Sequence, residues 1–263
     1  MLDRPDPETA AALARLYDLD LVDDPGDLDL YLALAERTGG PILELAVGSG
    51  RLAVPLAAAG DRVTGVDLDP AMLDRARRLA DAAGPETVDR LTLVEADVVG
   101  LRLPDAGRYG LAFIGLNSLM VLASRSAQRA AIQTMADHLA PGGIAVVDVW
   151  LPDAEDLARF DGRIILEWPR SDPETGETVT KAGSAQHDAA TGTVTLTTIF
   201  EAASQGGPVR RWVRRDRMRL VSADELRAFA EDAGLVVELL AGGYDLGALG
   251  EGSERAILVA VKP

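Results

Sequence analysis

The chain has no cysteine, two lysines (Lys181 and Lys262), two histidines (His138 and His187) and only 4% aromatic residues among 263. Without cysteine there is no disulfide framework, no thiolate nucleophile and no Cys-ligated zinc or iron–sulfur cluster. No other metal-ligand spacing is visible. No run approaches the ~20 apolar residues of a membrane span, and the N-terminal stretch lacks the basic start and apolar core of a signal peptide. The expectation is a cytoplasmic protein with no membrane partner. Positive charge is also scarce: 26 basic residues stand against 42 acidic ones, a formal charge of -16. That balance opposes long-range attraction to phosphate backbones or anionic lipid, so a small-molecule partner is expected and a nucleic acid is not.

What is present is an ordinary folding composition, 48% hydrophobic and 26% charged, in a length suited to one large domain or two small ones. Asp6-Pro7 and Asp24-Pro25 each place a capping carboxylate before a proline suited to a first helical turn, and two helices are expected there. From Ile42 onward strands and helices alternate. Strands at Ile42 to Leu45, Val63 to Val66, Leu91 to Glu95, Leu111 to Gly115 and Ile144 to Trp150 are separated by helices near Arg51 to Ala59, Asp69 to Ala83 and Ser126 to Leu139. This βαβα rhythm implies a parallel sheet covered on both faces. Between Pro152 and Val221 it gives way to four extended segments, with Asp188-Ala-Ala-Thr-Gly192 as a hairpin turn. Ser222-Ala-Asp-Glu225 then opens a helix as a capping box, and Leu235 to Leu240 and Ala256 to Val261 supply two last strands.

The chemistry concentrates in Ile42-Leu-Glu-Leu-Ala-Val-Gly-Ser-Gly-Arg-Leu-Ala53, a buried strand running into a glycine turn and a helix. Gly48 and Gly50 let a ligand approach the backbone, and helix N–H groups would point at it. Gly48-x-Gly50-x-x-Ala53, with Asp67 roughly 20 residues on, satisfies the dinucleotide fingerprint, so an NAD-dependent oxidoreductase is one reading. Three carboxylates pull away from it. Glu44 would repel a pyrophosphate and suits a cationic amino group, Asp67 suits a ribose, and Asp97 is placed to accept from an exocyclic adenine amine.

Those residues carry a resemblance to class I S-adenosylmethionine-dependent methyltransferases. Glu44-Leu-Ala-Val-Gly-Ser-Gly50 resembles the family's first motif, Gly65-Val-Asp-Leu-Asp-Pro-Ala-Met72 the second and Glu95-Ala-Asp-Val98 the third, while Leu139-Ala-Pro-Gly-Gly143 is similar to its late signature. One departure is Ala46, where the family has its first glycine. The resemblance implies that Glu44, Ala46, Gly48 and Gly50 line the methionine end of S-adenosylmethionine and that Asp67 binds both ribose hydroxyls. It further implies that Leu68 and Met72 pack on adenine, that Asp97 with Val98 bind its edge, that Asn117 faces the methyl group or acceptor, and that Tyr17 or Tyr31 lies over the cofactor.

The expected fold is therefore a doubly wound, mostly parallel seven-stranded Rossmann-like sheet. Residues 1–150 would hold an N-terminal helical cap and the cofactor core, 151–221 an antiparallel β lid, and 222–263 the last helix and strands. The expected function is methyl transfer to nitrogen or oxygen of a small molecule by in-line displacement; a non-catalytic S-adenosylmethionine-binding protein is a further alternative. A hydroxyl acceptor would need a base, for which His187 or a tyrosine is the candidate, whereas His138 in the last turn of a helix reads as structural. Six arginines between Arg210 and Arg219 read either as an edge strand kept soluble by charge or as an anion-recognising wall, with Arg211 and Arg215 on one face. Trp150 and Trp168, in or beside the insertion, could add aromatic surface. The oligomeric state is left open.

Overall fold

The computed structural model describes residues 5–23, 25–204 and 206–263, which divide into two compact units. The larger unit, residues 25–151 with Val221–Pro263, is the α/β part. Its strands are β1 (Ile42–Leu45), β2 (Val63–Asp67), β3 (Leu91–Glu95), β4 (Tyr109–Ile114), β5 (Leu139–Trp150), β10 (Val236–Ala241) and β11 (Arg255–Val261), in the order β10-β11-β5-β4-β1-β2-β3. All neighbours are parallel except β11, which runs antiparallel to both β5 and β10. The expected seven-stranded, mostly parallel sheet is thus observed.

β1 is buried at all four positions, the signature of a strand covered on both faces. Its neighbours α2 (Leu28–Thr38) and α3 (Ala53–Ala59) bring Leu34 and Leu56 into one core with Ile42, Leu111 and Ile257. Helix α7 (Arg125–His138) packs on β4 and β5, and α9 (Ala223–Asp232) on β10 and β11. Asp69 caps α4 (Pro70–Ala83) by accepting from the Ala71 amide at 2.9 Å, and Ser222 caps α9 by accepting from Glu225 at 3.2 Å. No helix among the described residues is long and apolar enough to cross a membrane.

Two expectations change. Asp24 lies outside the described residues, and α2 begins not after Pro25 but at Leu28, with Asp27 in the N-cap position. The turns α5 (Pro85–Arg90), α6 (Ser118–Val121) and α8 (Ala154–Arg159) were not anticipated, because four to six residues are too few to show a helical period.

The smaller unit joins Pro152–Leu220 to the N-terminal helix rather than standing alone. β6 (Ile165–Ser171), β7 (Thr178–Asp188), β8 (Thr193–Ala203) and β9 (Arg210–Arg219) form an antiparallel sheet in that order, and Asp188 closes the hairpin by accepting from Ala190 at 2.9 Å. Helix α1 (Pro7–Asp20), capped by Asp6, buries Leu16 and Leu19 against Val179, Phe200 and Ala202 of this sheet. Polar contacts fasten its C-terminal end: Asp20 accepts from Trp168 Nε1 at 2.9 Å and Lys181 Nζ at 2.6 Å, and Arg170 donates to the Leu19 carbonyl at 2.7 Å. The apolar face of α1 accordingly belongs with the insertion, not with the residues 1–150 to which sequence order had joined it.

Candidate active site

In an open α/β sheet the ligand site lies beyond the C-terminal strand ends where strand order reverses, here between β1 and β4. β1 leaves the sheet through Ala46, whose φ of 60° is the left-handed conformation more usual for glycine. The substitution at the family's glycine position therefore leaves the turn geometry in place, with alanine carrying the strain. At Gly48, φ is 55° and an added Cβ would meet nothing within 4 Å, so the loop opens onto empty space. Gly50 differs: its Cβ would come within 3.0 Å of both Ala76 and Val54, which makes it a packing glycine that lets α4 approach the loop.

Asp67, the last residue of β2, ties the loop down. One carboxylate oxygen accepts from the Gly48 amide at 2.8 Å and the other from the Asp69 amide at 2.9 Å. Each oxygen keeps a lone pair for a further donor. Burial raises its pKa, opposed by those two amides. Leu68 beside it is 53% exposed while Met72 is buried, and Val98 is buried next to an exposed Asp97. Asp97 uses one oxygen to accept from Val99 at 2.9 Å.

Glu44 is the electrostatic centre. It is 5% exposed, and its Oε2 has no hydrogen-bond partner. Burial pushes its pKa well above the usual carboxylate range, against the pull of the Arg51 guanidinium. Arg51 is itself committed, pairing in a two-pronged contact of 2.6 Å and 2.6 Å with fully buried Asp27. This contact also explains why α2 starts at Leu28: Asp27 is held from the glycine loop.

Past β4 the chain enters a strained turn, with Leu116 at φ 46° and Asn117 at φ 67°. Asn117 Oδ1 accepts from the Trp150 amide at 2.5 Å, so the carbonyl end of its side chain pins the turn to β5. Asp148, fully buried on β5, accepts from the Leu116 amide at 3.1 Å and from the Tyr244 hydroxyl at 2.7 Å, and pairs with Arg255. The Arg255 guanidinium also lies 4.7 Å from the centre of the Tyr244 ring. Tyr31 completes the group: fully buried, its ring centroid is 4.3 Å from that of Phe113, and its hydroxyl has no partner. Burial and the nearby Asp148 and Asp27 hold both Tyr31 and Tyr244 in the protonated form.

The α/β unit thus gathers Tyr31, Glu44, Ala46, Gly48, Gly50, Asp67, Leu68, Met72, Asp97, Val98, Asn117 and Trp150 of the expected residues. Tyr17, Trp168, His187, Arg211 and Arg215 belong to the antiparallel unit. There Trp168 packs against the α1 core and bonds Asp20, and the His187 amide donates to the Phe160 carbonyl at 3.0 Å. β9 is the edge strand, and three of its arginines meet carboxylates: Arg210 with Glu177, Arg211 with Glu201 and Arg214 with Asp216. That geometry fits a charged edge and removes donors from an anion wall. His138 is structural for a reason different from the helix dipole: Nε2 accepts from the Leu103 amide at 3.0 Å while Nδ1 meets the Thr134 carbonyl at 2.7 Å.

Sequence reasoning missed Asp27, Arg51, Asp148, Tyr244 and Arg255. Asp148 had a signal, as the one carboxylate inside the apolar run Ile144 to Trp150. Tyr244, in a glycine-rich loop, had none.

Similarity to known proteins identifies the family. A family described as "Methyltransferase domain" matches residues 42–143. Over 206 residues the chain is 31% identical to the dTDP-3-amino-3,4,6-trideoxy-alpha-D-glucopyranose N,N-dimethyltransferase of Streptomyces venezuelae, covering 77% of this chain and 78% of that enzyme. Among solved structures it is similar to the CcbJ methyltransferase from Streptomyces caelestis, with 25% identity and a TM-score of 0.77 over 93% of this chain and 96% of that one. It is likewise similar to Streptomyces venezuelae DesVI, with 25% identity and a TM-score of 0.74 over 96% and 98%. The chain belongs to the class I S-adenosylmethionine-dependent methyltransferases, and its cofactor is S-adenosylmethionine rather than a nicotinamide dinucleotide. The residues fit that cofactor: an unpartnered buried carboxylate oxygen suits its ammonium, and the open space at Gly48 is room that a side chain would fill.

Proposed function

We propose that this methyltransferase acts on the nitrogen of a small amino-bearing molecule, with an amino sugar as the substrate class. The observation that carries the reading is the state of His138. It is the single histidine of the α/β unit, and both ring nitrogens are engaged by backbone groups. A hydroxyl acceptor must lose its proton to a base as it attacks. A neutral amine already presents its lone pair and needs chiefly alignment, worth on the order of 7–11 kcal/mol. The relative that is an N,N-dimethyltransferase of a 3-amino sugar supports the same choice.

When bound, S-adenosylmethionine supplies a methyl group on a sulfonium, whose departure as a neutral thioether needs no acid. The chain's own residues do the rest. Glu44 holds the ammonium, the Gly48 backbone leaves room for the ligand, and Asp67 accepts from the ribose hydroxyls with the oxygen lone pairs not used by Gly48 and Asp69. Leu68 and Met72 provide the apolar shelf, and the free oxygen of Asp97 with Val98 meets the adenine edge. Asn117 sets the turn beside the acceptor, tied to β5 at Trp150.

The test is turnover. The enzyme, S-adenosylmethionine and matched pairs of nucleotide-linked sugars differing only as 3-amino or 3-hydroxy are followed by mass spectrometry. One or two added methyl groups on the amino member alone are expected. Methylation of the hydroxy member at an equal kcat/KM would overturn the reading.

A further inference from the structure

Asp148 is a fully buried carboxylate inside the apolar run of β5. Burying a charge is costly, and valine or leucine would serve the strand better if packing were all that mattered. What the carboxylate gains is three donors from three separate pieces of chain. Oδ2 accepts from the Leu116 amide at 3.1 Å and from the Tyr244 hydroxyl at 2.7 Å, while Oδ1 pairs with Arg255, the first residue of β11. With both oxygens engaged and no exposed surface, it does not meet a ligand itself. It acts through what it holds.

One of the things it holds is the turn after β4. Leu116 and Asn117 both have left-handed φ, 46° and 67°, conformations that non-glycine residues keep only where the surroundings impose them. The imposing groups lie on β5. The Asp148 carboxylate takes the Leu116 amide, the Asp148 carbonyl takes the Asn117 amide at 3.1 Å, and the Trp150 amide donates to Asn117 Oδ1 at 2.5 Å. On the β5 side the last two use backbone groups, which any residue at those positions would supply. Only the first depends on a side chain of β5. Tyr244 and Arg255 aim that side chain, and they also hold each other, with the guanidinium 4.7 Å from the centre of the phenol ring.

We propose that Asp148 is a positioning residue for methyl transfer, its carboxylate aimed by Tyr244 and Arg255 so that it locks the Leu116–Asn117 turn facing the acceptor. The assignment rests on the acceptor lying beside that turn, and not on the acceptor atom being nitrogen. None of these groups belongs to the loops after β1 and β2. The lock therefore bears on alignment of the acceptor rather than on cofactor binding, and a misplacement of about 1 Å is enough to cost on the order of a hundredfold in rate.

The main perturbation is Asp148→Asn. An amide offers one acceptor oxygen and one NH2, so whichever way it turns a donor faces either Arg255 or the Leu116 amide. Tyr244→Phe is the milder variant, which keeps the ring beside Arg255 and removes one donor. Three readings are taken on the full chain: hydrogen exchange of segments 111–122 and 42–54 with S-adenosylhomocysteine bound, calorimetric titration of that ligand, and kcat and KM. The kinetics use whichever member of the amino and hydroxy sugar pair the wild type methylates. If it methylates neither, the proposed acceptor class alone has failed and exchange decides here. In Asp148→Asn, exchange across the turn should rise about tenfold or more with segment 42–54 unchanged, and kcat should fall about tenfold to a hundredfold while KM and the S-adenosylhomocysteine Kd stay within about threefold. Tyr244→Phe should show the same pattern at smaller amplitude. Unchanged exchange at the turn, or faster exchange with unchanged kcat, would overturn the assignment. So would exchange raised alike in both segments, or a loss confined to KM or to S-adenosylhomocysteine affinity, which are the marks of a residue that serves stability or binding alone.

Discussion

Replacing Glu44 by glutamine should make the ligand-free protein more stable and a poorer binder. The carboxylate is 5% exposed with Oε2 unpartnered, and leaving a buried acceptor unsatisfied costs about 1–3 kcal/mol, more when it is charged. Attraction to Arg51 offsets part of this, so a gain of about 1–2 kcal/mol is expected from the neutral isostere. For a chain of this size that raises Tm by at least about 2 °C. The pH dependence has a definite sign. The folded pKa lies above the ordinary value of 4.5, so the folded state keeps a proton that the unfolded state gives up. The wild type therefore holds the Glu44 contribution below about 4.5 and loses it as pH rises through the folded value. The advantage of Glu44→Gln should vanish in acid and grow across that window. Binding moves the other way. A charge-assisted hydrogen bond is worth about 1.5–3 kcal/mol, so affinity for S-adenosylhomocysteine should fall roughly tenfold to a hundredfold. Urea unfolding at several pH values, with calorimetry at neutral pH, reads both. A variant that is less stable at neutral pH, or that binds as well as the wild type, refutes the reasoning.

Gly48→Ala should fold, since its Cβ meets nothing within 4 Å, and should lose about 1–2 kcal/mol of stability from its φ of 55°; it should bind S-adenosylhomocysteine at least tenfold more weakly, and wild-type affinity would place the ligand elsewhere. Asp67→Asn offers only one acceptor oxygen to two amides, Gly48 and Asp69, so fluorescence or calorimetric titration should show a loss of about tenfold or more, and full retention would remove Asp67 from the site. Arg211→Ala with Arg215→Ala breaks an exposed cross-strand pair with Glu201, costing at most about 1 kcal/mol. With a turned-over amine acceptor KM should not change; a raised KM at constant kcat would restore the anion wall.

The sheet was legible in the sequence because each strand is a short apolar run bounded by turn residues, and because Gly48 and Gly50 interrupt the pattern where β1 ends. What sequence could not decide is what each amphipathic face meets. Asp24-Pro25 marked a helix start in the sequence, but α2 begins at Leu28, where the Asp27 carboxylate is taken up by Arg51, 24 residues further along. The buried face of α1 was visible in Leu16 and Leu19, but its partners Val179 and Phe200 lie more than 150 residues away. The arginine cluster fits the edge reading, since Glu177 and Glu201 reach Arg210 and Arg211 only once the sheet forms, while Asp216 meets Arg214 within β9 itself. Neither orphan, Tyr31 or Glu44, can be seen without the packing that encloses it.

Where the chain breaks its own rules is also informative. Among the described residues the non-glycine positions with left-handed φ are Ala46, Leu116, Asn117, Ala123 and Leu246, and all belong to the α/β unit. Ala46 follows β1, Leu116 and Asn117 follow β4, and Leu246 lies in the loop from β10 to β11 that also carries Tyr244. Each costs about 1–3 kcal/mol. At β4 the surroundings supply compensation: the Asp148 carboxylate receives the Leu116 amide, the Asp148 carbonyl receives the Asn117 amide, and Asn117 Oδ1 receives Trp150. β5 therefore holds the turn in a conformation it would not take alone. The strained turns share the strand-end region with the two unsatisfied buried atoms, as expected when local stability is given up for a ligand. A fold optimised for itself would place glycine at position 46 and glutamine or leucine at 44. That it does neither supports placing the cofactor's ammonium at this corner of the sheet.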